Sequence, residues 1–154
     1  MLPDDVFRSR MQTTITALQY WAPSIADAAQ VEETETGSFW KITVTPGLPN
    51  ACPFELIVHF DQRYDLAIGS ETYESLPIES FDMFLPFVEA VADGNVVQRR
   101  RLSRLTGLER SVETLVTLAN GSTWREVRGE RQMVPSLDDD GTELRERRYL
   151  PYRR

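Results

Sequence analysis

The sequence predicts an α+β fold: an antiparallel sheet of about five to six strands with two helices packed on one face. Three observations carry that expectation. Apolar residues recur at helical spacing in two segments, about 5–22 and 79–93, and they alternate at the two-residue strand period in several others. Turn-forming dipeptides then punctuate the second half of the chain. With 154 residues, a single domain can bury roughly 70% of the surface its unfolded chain exposes.

The first helix is expected to start after Asp4 or Asp5, either of which can cap free amides. Phe7, Met11, Thr14, Ile15, Leu18 and Ala22 then fall on one face. Pro23 ends that run, because its ring clashes with the preceding turn, and opens a short second piece reaching about Ala29.

Phe39–Thr45 reads as a strand with Trp40, Ile42 and Val44 on one side and Lys41 and Thr43 on the other. Three prolines and a glycine make 46–53 a loop. A hairpin over 54–69 follows. A three-residue loop at Asp61-Gln62-Arg63 pairs Phe60 with Tyr64, Val58 with Leu66 and Leu56 with Ile68, so all three apolar pairs share a face.

The second helix is expected from Ile78 or Phe81 to Asp93, with Ser80 as its cap and Gly94-Asn95 as its stop. Its buried stripe is Phe81, Phe84, Leu85, Val88 and Ala92, and Pro86 predicts a kink or two short helices. From 96 to 130 the chain reads as a meander turned at Thr106-Gly107 and Asn120-Gly121. Two-residue loops there set Arg104 opposite Glu109, Arg100 opposite Glu113, and Glu113 opposite Arg128. A helical reading of Val97–Arg104 stands as the alternative, since short mixed stretches are ambiguous. Residues 1–134 thus form the domain. Residues 135–154 form an arginine-rich tail: a peripheral strand, a partner-binding arm or a disordered end.

The net charge of −7 is unevenly distributed. Residues 1–98 carry 4 basic and 15 acidic side chains, and residues 99–154 carry 13 basic and 9 acidic ones. Nearly all the cations are arginines, which pair with carboxylates in a planar, bidentate way. The two halves can satisfy each other within one chain, or drive association between chains. No apolar run approaches the roughly 18 residues of a membrane span, and no export signal opens the chain, so a soluble, cytoplasmic protein is expected.

The candidate chemistry is sparse. His59 is the one imidazole, and across the hairpin it faces Asp65, which could orient it as in a hydrolase triad. No nucleophile elbow accompanies the pair, and a surface His–Asp contact explains it equally. One cysteine and one histidine cannot build a four-ligand zinc site. Asp138, Asp140 and Gly141 have the spacing of part of a calcium loop, but Ser136 and Arg147 stand where ligands are required. The eight glycines are dispersed, which excludes phosphate-loop and dinucleotide fingerprints. No metal or cofactor is expected.

Arg145, Arg147 and Arg148 with Tyr149 and Tyr152 make the tail a candidate partner-binding surface. Arginines could neutralise phosphates and tyrosines could stack on bases, but the acidic whole and the glutamates opposite the meander arginines argue against nucleic acid. The order helix, three strands, helix, two or three strands is loosely similar to that of secretion chaperones, a likeness of topology that implies holding an unfolded segment of another protein. The arginine-rich tail departs from the uniformly acidic surface such chaperones would show. The function expected is therefore a non-enzymatic binding or interaction module, with a second copy of the chain among the candidate partners. The alternatives are a small-molecule binder or enzyme with a cavity between helices and sheet, and an arginine-tail nucleic-acid binder.

Overall fold

The computed structural model describes residues 2–129 and 141–153. Nine strands in two antiparallel sheets and two helices follow one another among these residues, an α+β fold. Helix α1 (Asp4–Trp21) is followed by a 3₁₀ turn (Ala22–Ile25) and strands β1 (Ala29–Glu35), β2 (Phe39–Pro46), β3 (Phe54–His59), β4 (Arg63–Ile68) and β5 (Glu71–Pro77). A second 3₁₀ turn (Phe81–Met83) leads into α2 (Phe84–Ala92), then β6 (Val96–Ser103), β7 (Glu109–Thr117), β8 (Thr123–Gly129) and β9 (Thr142–Arg148). The sheets run in the orders β1-β2-β3-β4-β5 and β8-β7-β6-β9.

Two sheets stand where one was expected, because α2 lies between them. Its Phe84 ring meets Tyr64 of β4 edge-on at 5.2 Å, and its Phe87 ring meets Trp124 of β8 at 5.2 Å. Facing both sheets, α2 buries Phe84, Phe87, Val88, Ala90 and Val91, whereas Leu85 and Ala92 of the expected stripe are only partly covered. Pro86 falls in the first helical turn, where a missing amide hydrogen costs nothing, and the 3₁₀-to-α junction precedes it. Ser80 caps the start of the 3₁₀ turn by accepting the Asp82 amide at 3.2 Å.

Helix α1 buries Phe7, Met11, Ile15 and Leu18 as its periodicity requires. Its cap position is Pro3, so Asp4 and Asp5 sit inside the first turn and complement the helix dipole instead of capping. The predicted strand face of Trp40, Ile42 and Val44 is fully buried.

The hairpin register differs in an instructive way. Phe54 pairs with Ile68, Leu56 with Leu66 and Val58 with Tyr64. The loop has three residues as expected, but they are Phe60-Asp61-Gln62, with Gln62 in the left-handed region at φ 70°. Sliding the loop by one residue moves the pairing by two, so the same side chains still share a face.

In the meander the shift is by one, and the faces exchange. The first loop holds four residues, Arg104–Gly107, closed by the Ser103 amide donating to Leu108 at 2.8 Å, and a bulge follows between Arg101 and Leu102. The second is a three-residue loop ending at Gly121, φ 88°. Arg99, not Arg100, therefore lies opposite Glu113, and Val127, not Arg128, is Glu113's partner on β8. Residues 97–104 are strand, not helix, through Ser103.

Strand β9, from the arginine-rich tail, pairs with β6 as an edge strand, and the chain beyond it returns to the core. The Tyr149 hydroxyl donates to Gln98 Oε1 at 2.7 Å, and the Tyr152 hydroxyl to the Cys52 carbonyl at 2.6 Å.

Candidate functional site

His59 and Asp65 are in contact, His59 Nε2 lying 2.8 Å from Asp65 Oδ2. The strand partner of Asp65 is Ile57, so the two meet diagonally on the outer face of the five-stranded sheet. The other carboxylate oxygen of Asp65 accepts the Ser75 amide at 2.8 Å, and Arg63 donates to the Ser75 carbonyl at 2.6 Å. Ser75 has φ 55°, and the β4–β5 register shifts beside it. Asp65 thus pins a strained bulge with one oxygen and His59 with the other. This is a structural clamp.

The tail residues are largely committed within the chain. Arg148 reaches Glu146 at 2.9 Å, Arg145 reaches Glu143 at 3.6 Å, and the Arg147 guanidinium stacks 4.6 Å from the Tyr149 ring. Arg153 pairs with Asp27 and the Ser24 carbonyl, and this contact holds the exposed Asp27 carboxyl below its ordinary range. Tyr149 and Tyr152 are buried, and burial pushes both hydroxyls above the usual phenol range. Asp138 and Asp140, and with them the partial calcium spacing, lie outside the described residues. Among the described residues no group of three His, Cys, Asp or Glu side chains could hold a metal ion.

The feature that stands out was not singled out from the sequence. Among the described residues β5 pairs in a sheet only with β4, and β8 only with β7, so each is a sheet edge there. The two edges converge where Arg128 of β8 forks onto the buried Glu71 of β5, at 2.8 and 3.1 Å. A step further along, the Tyr73 hydroxyl shares a hydrogen bond with Thr114 Oγ1 at 2.7 Å, and its ring meets Trp124 edge-on. Beyond that point they diverge around a cleft of about 400 Å³. Such a volume lies at the lower end of the range for ligand sites.

One wall is Leu76–Pro77, Glu79–Ser80 and Met83; the other is Leu118 and Ser122–Glu126; Tyr64 is also in the lining. The Trp124 indole N–H donates to the Tyr64 hydroxyl at 3.1 Å, fixing both rings. Burial holds the Tyr64 hydroxyl above its ordinary pKa; the indole contact lowers it, and the nearby Glu126 and Glu79 carboxylates raise it again. The lining's one cation, Arg125, is tied to Glu113 at 2.5 Å.

No spacing in the sequence links residues 64, 79 and 126. They meet because two sheets close on α2, and that separation into sheets was not legible. No protein-family model, curated protein or solved structure matches the chain.

Proposed function

We propose that the protein is a non-enzymatic binding module that holds an extended polypeptide segment in the cleft between β5 and β8. The observation supporting this is the pair of sheet edges, unpaired among the described residues, that flank one cavity. An extended chain entering there can take backbone hydrogen bonds from an edge strand and side-chain contacts from the floor. The lining supplies apolar surface from Leu76, Met83, Leu118 and Trp124, with hydroxyls of Tyr64, Ser80, Ser122 and Thr123 among it. His59, the chain's imidazole, is on the outer face of the five-stranded sheet and takes no part. A single cysteine with no partner in the chain fits a reducing compartment such as the cytoplasm.

An array of random dodecapeptides, with hits followed by amide NMR, tests the reading. Binders should shift resonances of Leu76–Ser80 and Ser122–Glu126. Binders that shift only β1 or β9 would remove the cleft from consideration.

A second reading, association between copies, is favoured by the other two edges. β1 carries Glu32, Glu33 and Glu35, whereas β9 carries Arg145, Arg147 and Arg148. Sedimentation at low and high salt checks it: copies joined by these edges separate as salt rises. A nucleic-acid reading finds less support, because the Tyr149 and Tyr152 rings are buried and offer no free face to a base.

A further inference from the structure

We infer that the cleft selects a basic segment, placing an arginine or lysine side chain of the partner between Glu79 and Glu126 against the Trp124 and Tyr64 rings. This rests on the cleft being a peptide site, and it adds the chemistry that site reads.

The cleft's charge supports the selection. Glu79 lies on the β5 side and Glu126 on the β8 side of the cavity. Neither carboxylate has a hydrogen-bonded or ion-paired side chain among the described residues, whereas Glu71, Glu109, Glu113 and Glu146 are each engaged by arginine. Both line the same cavity as Tyr64, Glu79 at an exposed position and Glu126 at a half-buried one. The one lining cation, Arg125, is drawn away by Glu113 on the outer face. The local field in the cavity is therefore negative, and hydroxyl oxygens of Tyr64, Ser80, Ser122 and Thr123 add acceptors.

The shape supports a long side chain over a compact cation. Leu76, Met83 and Trp124 give an apolar wall for an alkyl stem, and an aromatic ring favours a cation over its face. A guanidinium or ammonium on a three- or four-carbon stem satisfies both the wall and the carboxylates, and a backbone on each side of that residue can follow the β8 edge.

The test uses the full chain and three fluorescein-labelled nonapeptides of alternating Thr and Val with Arg, Gln or Glu at the central position. Fluorescence anisotropy at low salt should show the Arg peptide binding at least about tenfold tighter than the Gln peptide, and the Glu peptide weakest. In the E79Q/E126Q variant, the Arg and Gln peptides should converge while the Gln peptide keeps its wild-type affinity. Unchanged discrimination in that variant would overturn the inference and leave the peptide site standing. Absence of binding by all three peptides, with dodecapeptide hits mapping elsewhere, would overturn the site itself. Free N-acetyl-arginine amide competing as well as the Arg peptide would show a small-cation pocket, and so overturn the peptide as occupant. Both substitutions are isosteric and lie at exposed or half-exposed positions, and an unchanged thermal midpoint confirms that the fold is intact.

Discussion

On strand β6 two neighbouring residues point in opposite directions and lead into two different polar networks. Gln98 faces inward, between the sheets. Its amide donates to the Ile68 carbonyl at 3.0 Å and to Thr114 Oγ1 at 3.1 Å, and its oxygen accepts from Tyr149 and Ser70. Arg99 faces outward and belongs to a ladder crossing four strands: Arg148 and Arg99 on Glu146, then Arg99 and Arg125 on Glu113. The inner network is buried, so a lost partner leaves a polar group unpaired in the interior, whereas the outer one lies in high dielectric and pays side-chain entropy for each contact. Similar numbers of contacts thus differ greatly in worth, and burial decides which.

The largest expected effect comes from crowding the inner network. Gly69 has φ 59°, and a Cβ there would press on the Tyr149 hydroxyl and lie 2.9 Å from Gln98 Oε1. Gly69→Ala should cost about 3 kcal/mol, from overpacking together with displaced hydrogen bonds. Urea titration followed by tryptophan fluorescence measures it. A loss below about 1 kcal/mol would show that the two sheets separate easily there.

Removing the hub comes next. Gln98→Met keeps most of the volume, strands the Tyr149 hydroxyl, takes a donor from the Ile68 carbonyl and leaves Thr114 only its bond to Tyr73, at a cost of about 2 kcal/mol. Thermal melts of the variant and of Gln98→Leu should agree, because the missing hydrogen bonds are common to both.

On the outer face, Arg99→Ala should lower the melting midpoint only slightly, and the difference should vanish in about 0.5 M salt. An effect as large as that of Gln98→Met would mean that the ladder is cooperative along its length.

The smallest effect is the dependence of the ladder on pH. Hydrogen bonding from Arg99 chiefly holds the Glu146 carboxyl below its ordinary value of 4.5. A depressed carboxylate stabilises the fold above its unfolded pKa, and that contribution is lost as pH falls through the folded value. The difference between the wild type and Glu146→Gln should therefore be constant from neutral pH down to about 4.5 and shrink below it. Glu109 should titrate in the same sense. Burial opposes its ionisation, but hydrogen bonds from Arg128 and Arg100 outweigh burial.

These contrasts also explain what could be read without the structure. Strands β2, β3 and β4 carry clean apolar alternation, and α1 carries a clean helical stripe, because each presents one face to the core. Strand β1 has little alternation to find: beyond Ala29 and Val31 it is Gln, Glu and Thr at an exposed edge. β5 buries only Glu71 and Tyr73, so its pattern is two residues long. In the meander, charge pairing suggested arginine–glutamate contacts but set the register off by one residue; Glu113 takes Arg99 and Arg125, and Glu109 takes Arg100 and Arg128, because Arg and Glu reach diagonally and tolerate either register. The cleft depends on how far β5 and β8 diverge, a property of sheet packing to which no local pattern is sensitive. His59 and Asp65 were correctly expected to touch, yet the same contact, completed by Ser75, is a clamp on a bulge.

Cys52 is sealed by a segment far from it in the chain. It is fully buried; Tyr152 closes on its carbonyl, and the neighbouring Ala51 bridges Leu150. Burial pushes its thiol up to about 12, which leaves almost no thiolate at neutral pH. Residues 149–152 lie about a hundred positions after Cys52 in the chain, so the thiol is covered only when that distant segment docks. Pulse alkylation should mark molecules in which 149–152 is undocked and spare folded ones.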